Sequence, residues 1–204
     1  MRTRLQLLLP ILGCLAPGGL APGGLAGQLP VGLAAEASVG YAAPVGDFAD
    51  AEAGFTAEAG AAFAAGGSVW PIQEFGIFGG YRYTTFGCAR CEQFDLDGSA
   101  VLKGVEAGIE FASPVAVGIV APRLRGSLVW QTLGFSRQDE RLTSGTETGF
   151  AVAAGLPVAL AGRLELIPWL RFDSVPAGFT FSNLPDRSVD VTSLTFDVAV
   201  AYRF

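Results

Sequence analysis

The clearest pattern in the chain is a strict alternation of apolar and polar positions over its last twelve residues. One face holds large apolar side chains, namely Leu194, Phe196, Val198, Val200, Tyr202 and Phe204. The other face holds small, polar or charged side chains, namely Ser193, Thr195, Asp197, Ala199, Ala201 and Arg203. Successive side chains of a β-strand point to opposite faces of the sheet, so a period of two indicates a strand. The pattern predicts a strand with one oily face and one polar face.

The same alternation, interrupted by turn-forming residues, divides the rest of the chain into strands. The predicted strands are 36–43, 54–66, 72–86, 99–112, 118–135, 147–160, 163–175 and 192–204. Short connections at 67–71, 113–117 and 161–162 alternate with long ones at 44–53, 87–98, 136–146 and 176–191. Such alternation is typical of an up-and-down barrel whose short turns all lie at one end.

Alternation alone leaves open which face is outside, because a soluble lipocalin-like barrel is apolar inside and polar outside. In the fourth predicted strand, Val105, Ile109 and Phe111 alternate with Glu106 and Glu110. Across the chain the polar face mixes charges with Gly and Ala, as a narrow interior requires. Lys, Gln and Asn, which are common on water-exposed exteriors, are scarce. We therefore expect the apolar face to meet lipid, with a lipocalin-like ligand-binding barrel as the less favoured alternative.

The closing strand resembles the last strand of bacterial outer-membrane β-barrels, whose terminal Phe and preceding apolar residues form an insertion signal. Here that signal would be Val200, Tyr202 and Phe204. Across 35–204 the chain resembles the small OmpA/OmpX-like family. The resemblance implies an all-β fold, an eight-stranded antiparallel up-and-down transmembrane β-barrel, in the outer membrane of a Gram-negative envelope. It also implies outer-membrane lipid, lipopolysaccharide, the barrel-insertion machinery and periplasmic chaperones as partners.

The first 34 residues read as a leader, which leaves 35–204 as the barrel domain. A charged start at 1–4 and an apolar run at 5–15 are typical of a signal peptide, and a Gly/Pro-rich repeat follows. Small residues allow cleavage after Ala26 or after Ala34, of which Ala34 is preferred. Cys14 lies in a loose likeness of a lipoprotein cleavage box, which leaves lipidation there as an alternative.

Charged residues fall on the polar face of the predicted strands in nearly balanced numbers. The predicted lumen network consists of Glu58, Glu74, Arg82, Glu106, Glu110, Arg123, Arg125, Arg163, Glu165, Arg171, Asp173, Asp197 and Arg203. Buried charges are tolerated only when they are paired and hydrogen-bonded. We expect an ion-pair core that fills the barrel; the alternative is a charged constriction that selects small solutes.

Excess negative charge lies in the long loops, and the net charge of the chain is −6. The loop acids are Asp47, Asp50, Glu52, Glu92, Asp95, Asp97, Asp186 and Asp190, against Arg90 and Arg187. This composition predicts an acidic outer rim. The rim either keeps the loops solvated or binds divalent cations that bridge to anionic lipid head groups.

Candidate chemistry is sparse. Cys88 and Cys91 lie in a long loop outside the cytosol, where a local disulfide is the expected state. The chain contains no His, the commonest general base, and almost no Lys. We predict no catalytic residue, metal, cofactor or nucleic-acid partner. The favoured function is a non-enzymatic outer-membrane barrel with a structural or surface-interaction role through acidic extracellular loops. A narrow porin-like channel for ions or small solutes is the alternative.

Overall fold

A computed structural model describes residues 32–49, 56–88, 96–114, 121–137, 141–179 and 187–204. Eleven strands lie in these ranges: β1 (Gly32–Val45), β2 (Ala57–Glu58), β3 (Gly60–Trp70), β4 (Phe75–Cys88), β5 (Leu96–Ala112), β6 (Arg123–Arg137), β7 (Arg141–Thr143), β8 (Glu147–Gly155), β9 (Val158–Ala161), β10 (Leu164–Phe179) and β11 (Arg187–Arg203). One turn of 3-10 helix, Gly46–Phe48, follows β1. Within the described ranges, none of the helical structure has the length and apolar character needed to span a membrane.

The strands form one closed antiparallel barrel. Around it, β11 pairs with β1, β1 with β3, β3 with β4, β4 with β5, β5 with β6, β6 with β8 and β8 with β10. Pairing of β10 with β11 completes the circle. The short β2 continues the line of β3, while β7 and β9 extend the position of β8 between β6 and β10. The prediction of an eight-stranded up-and-down barrel is therefore confirmed.

Short turns and both described ends of the chain lie at the same end of the barrel. Gly32 pairs with Trp70, and Ala34 pairs with Arg203. The turn between β9 and β10 is tight because Gly162 adopts a positive φ of 58°. β10 and β11 run well past the predicted limits of 175 and 192, so the sheet extends farther towards the long loops than the sequence pattern indicated.

The two faces of the barrel differ sharply in chemistry. Ile109, Leu170 and Phe196 on the outside are each more than half exposed, whereas Arg82 and Asp197 on the inside are each 3% exposed. The lipocalin-like alternative is therefore wrong, because the large apolar side chains point outwards. An outer surface of this kind is stable only against lipid.

A β-bulge separates β2 from β3. Ala57 pairs with Cys88, but Ala62 pairs with Thr84, so the register shifts by one residue between them. A one-residue shift moves side chains to the opposite face of a strand. Glu58 is exposed on the outside for this reason, and its predicted place in the lumen is wrong.

Two prolines limit the pairing of β10 with β8. That ladder covers only Trp169 to Ser174 on β10, whereas the β10–β11 ladder covers Leu164 to Phe179. Proline has no N–H to donate to a ladder. The carbonyl of Pro168 accepts a bond from Leu156 N, so Pro168 faces the β8 side; Pro176, an even number of residues along, faces the same side. The two residues bracket the ladder.

The extent of β1 bears on the two candidate cleavage sites. Leu33 O accepts a hydrogen bond of 2.9 Å from Phe204 N, and Gly32 pairs with Trp70. Cleavage after Ala34 would remove these pairings, whereas cleavage after Ala26 would keep them. We expect the mature protein to begin after Ala26, and its intact mass after purification from the outer membrane would show this. A mass that begins at Ala35 would contradict it.

Candidate functional site

A layer of charged side chains crosses the middle of the barrel interior. Its members occupy inward positions of six strands: Glu36 on β1, Arg82 on β4, Glu106 and Glu110 on β5, Arg123 and Arg125 on β6, Arg171 and Asp173 on β10, and Asp197 on β11. They share a layer because alternate residues of a strand point inwards and the antiparallel registers align those positions.

Arg171 is held by two carboxylates at once. Its Nη1 donates to Glu106 Oε2 at 2.7 Å, and its Nε donates to Asp173 Oδ1 at 2.8 Å. Ser127 Oγ donates a further bond to Glu106 Oε2 at 3.3 Å. Arg171, Glu106 and Asp173 are all buried. The group joins β5 to β10 across the interior.

Arg125 joins β6 to β1. It binds Glu36 through both Nη atoms, at 2.8 and 2.7 Å, and its Nε donates to Glu110 at 2.9 Å. The guanidinium also lies 4.1 Å from the ring centroid of Trp169 and 4.8 Å from that of Phe78. A planar guanidinium suits both the two-oxygen geometry of a carboxylate and the face of an aromatic ring.

The remaining pairs complete the layer and extend it to the short-turn end. Arg82 Nη2 donates to Asp197 Oδ2 at 2.8 Å. Arg123 and Arg203 share Glu165. Arg123 Nη2 lies 2.5 Å from Glu165 Oε2, and Arg203 Nε lies 3.0 Å from Glu165 Oε1. Both of these arginines also lie over the ring of Trp70.

Glycines make room for the largest interior groups. A side-chain carbon at Gly40 would collide with the carboxylate of Asp197, and one at Gly155 would collide with the ring of Trp169. The mixture of Gly with charged and aromatic residues on the inner face is therefore a packing requirement.

The half of the interior nearest the long loops is predominantly apolar. Phe48, from the 3-10 turn after β1, is 1% exposed and packs edge-to-face on Phe86, with ring centroids 5.1 Å apart. Buried around them are Ala42, Ala57, Ala62, Ala100, Leu102, Leu133, Phe135, Ala177, Val189 and Val191. We call this group the apolar plug. The alternation of the sequence does not predict it.

The opposite end of the interior opens into a vestibule of about 610 Å³. Its lining includes Trp70, Glu74, Arg123, Glu165 and Arg203. Beyond it, the cavity within the charged layer measures only about 40 Å³ and has room for a few water molecules. The interior thus has three levels: vestibule, charged layer and apolar plug.

Most of the residues predicted for the lumen are brought together in this interior, with exceptions. Arg163 is exposed in the turn before β10, because β10 begins one residue later, so its predicted inward position is wrong. Glu74 precedes β4, in the turn after β3, and lines the vestibule instead of the charged layer. The side chain of Arg203 is 48% exposed at the mouth.

Glu36 is not among the residues predicted for the lumen, although alternation along β1 places it on the same face as Ser38 and Ala42. Cys14 and Cys91 lie outside the described residues, so the predicted disulfide of Cys88 with Cys91 stays a prediction. Val200, Tyr202 and Phe204 are exposed on the outer face. Among the described residues, no group of three or more Cys, Asp or Glu side chains is arranged to hold a metal ion.

No family model and no curated protein sequence matches the chain. Solved structures do match in fold. The chain is similar to the Neisserial surface protein NspA, with a TM-score of 0.59 and 14% identity over 85% of this chain and 97% of that one. It is also similar to a major outer membrane protein of Thermus thermophilus, with a TM-score of 0.53 and 12% identity over 85% and 99% of the two chains.

A third match is the outer membrane protein AlkL in DMPC bilayers, with a TM-score of 0.53 and 11% identity over 92% of this chain and 97% of that one. Identities this low establish the fold alone. The fold is that of the small eight-stranded outer-membrane barrels, as the resemblance of the sequence to OmpA/OmpX-like proteins implied. Its belt of apolar side chains faces outwards, as in an integral membrane barrel.

Substitution of Arg171 tests the charged layer. Arg171→Ala leaves Glu106 and Asp173 buried without their cation, so we expect the free energy of unfolding to fall by about 3–5 kcal/mol. Arg163→Ala removes an exposed guanidinium, and we expect it to change the free energy of unfolding by less than about 0.5 kcal/mol. Urea titration of both variants in lipid vesicles measures the difference. A loss below about 0.5 kcal/mol for Arg171→Ala would place this side chain energetically at a surface.

Proposed function

We propose that this protein is a non-enzymatic, non-conducting barrel that anchors an acidic extracellular surface in the outer membrane. The observation that supports the proposal is the filled interior. The vestibule ends at the paired Arg123 and Glu165, and behind this pair the charged layer joins opposite walls of the barrel. An eight-stranded barrel has an interior wide enough only for its own side chains.

Two obstacles of different kinds oppose the passage of solutes. An ion that crosses the charged layer must separate buried pairs such as Arg82 with Asp197, which leaves uncompensated charge in a medium of low dielectric constant. Beyond that layer, Phe48, Phe86 and Leu133 fill the barrel with apolar atoms and exclude water. The vestibule is the feature that favours the alternative of a narrow channel. It leads only as far as the charged layer.

The interior also provides little for acid–base catalysis. Each carboxylate of the charged layer contacts a guanidinium, and the chain has no His to serve as a base. The pairing of these carboxylates with arginines suits a structural role, which is to connect the walls of the barrel.

The acidic surface is the part of the proposal that concerns partners. Asp47 and Asp190 are exposed near the long-loop ends of the adjacent strands β1 and β11. The other loop acids lie outside the described residues or, like Asp97, have a side chain that is not described. Since the chain carries a net charge of −6, cationic extracellular groups and divalent cations are the chemistry that this rim would attract.

Conductance measurements test the closed interior. Folded protein in planar bilayers is expected to give a current indistinguishable from that of the bare lipid in concentrated potassium chloride. Heat-modifiable migration on gels, tested on the same preparation, establishes that the barrel is folded and inserted. Reproducible unitary current steps would contradict the proposal and favour the narrow channel.

Removal of two rim carboxylates tests the surface role. Asp47→Asn combined with Asp190→Asn is expected to weaken binding of a fluorescent oligoarginine peptide to phosphatidylcholine proteoliposomes by about two- to fivefold at low salt. Glu74→Gln, which removes a charge from the opposite end, serves as the control and should leave loop-side binding unchanged. Equal binding by the double variant and the unaltered protein would show that these carboxylates do not contribute to the surface.

A further inference from the structure

Lys103 is the only lysine of the chain, and it lies on the outer wall of the barrel. It belongs to the outward-facing set of β5, with Val105, Ile109 and Phe111, and is half-buried there. Its ammonium group forms no ion pair or hydrogen bond with any residue that the structure describes. The arginines of the charged layer, in contrast, are all paired. Among the residues that the structure describes, this cation on the wall has no charged partner.

The height of Lys103 places it at a membrane boundary. Phe111 is the outward residue of β5 nearest the short-turn end, and eight residues separate it from Lys103. With a rise of about 3.3 Å per residue and a tilt of about 40°, Lys103 lies about 20 Å above Phe111. The apolar band of such barrels is about 25 Å tall, so Lys103 is near the extracellular edge of the hydrocarbon.

The cross-strand neighbours of Lys103 carry hydroxyl groups. Tyr83 on β4 and Thr132 on β6 are its direct cross-strand partners. Thr132 Oγ1 is in turn 3.3 Å from Thr146 Oγ1, on the next part of the wall. This row offers an ammonium group and several hydroxyl donors that face outwards.

The row immediately below is apolar and aromatic. Tyr81, Val105 and Trp130 are paired in register across β4, β5 and β6, and Tyr81 and Val105 are each about half exposed. Hydrogen-bond donors thus lie directly above an exposed apolar surface. A free anion in water would gain nothing from that lower row, whereas a lipid would contact both rows.

We propose that Lys103, with the hydroxyl groups of Tyr83 and Thr132, binds the phosphate of a lipid in the outer leaflet. The long lysine side chain can extend along the wall so that its ammonium group reaches the headgroup level. Ammonium and hydroxyl donors to a phosphate oxygen form charge-assisted hydrogen bonds.

The chain contains a suitable reporter for this site. Trp130 lies on the outer wall beside Lys103, whereas Trp70 and Trp169 are buried in the interior. The protein is folded in phosphatidylcholine vesicles that contain a minor fraction of lipid with brominated acyl chains, either phosphatidic acid or phosphatidylcholine. Quenching of tryptophan fluorescence then gives the relative affinity of the two lipids. We expect about a fivefold preference for phosphatidic acid, as one lysine near a membrane surface supplies.

Lys103→Gln is expected to reduce this preference to near equality, and Lys103→Arg to retain most of it. Arg163→Gln, which removes an exposed cation from the turn before β10, is the matched control and should keep the full preference. Heat-modifiable migration shows that each variant is folded. A Lys103→Gln protein that keeps the preference of the unaltered protein would overturn the proposal, as would complete loss of the preference when excess inorganic phosphate is added.

Discussion

The structure depends on the pairing of charges that the barrel removes from water. Arg171 joins β10 to β5, Arg125 joins β6 to β1, and Arg82 joins β4 to β11. Backbone hydrogen bonds connect each strand only to its neighbours, whereas these side chains connect walls that face one another. Because a buried charge without its partner is costly, each pair also fixes the registers of the strands that bear it. The charged layer is an internal brace, and the closed interior follows from it.

The same requirement explains the composition of the inner face. Guanidinium groups and tryptophan rings need space, and glycine at Gly40 and Gly155 supplies it where any side chain would collide. Farther along the barrel, towards the long loops, Phe48 and Phe86 fill the interior. The outer wall faces lipid, and its side chains are mainly apolar. Polar groups and Lys103 lie near the level where the hydrocarbon ends.

Alternation was sufficient to predict the eight strands, their faces and most of the inward charges, because a period of two is a local property of the chain. It failed where the period breaks, at Glu58 beside a bulge and at Arg163 in a turn. Alternation does not predict the apolar plug, because Val189 and Val191 fall within the predicted connection 176–191. Which guanidinium meets which carboxylate across the interior depends on the closure and stagger of the barrel, and those are properties of the whole sheet.

The two prolines of β10 leave its ladder with β8 shorter than its ladder with β11. Beyond Ser174, β10 forms no ladder with β8 among the described residues, although its ladder with β11 continues to Phe179. Pro176 has no N–H with which to continue the ladder and, for the same reason, makes this end of β10 a poor template for a foreign strand. Backbone amides along this line should exchange with deuterium sooner than those of any fully laddered seam. The barrel thus combines a waist that is tied across the interior with one seam whose ladder stops short of the long-loop end.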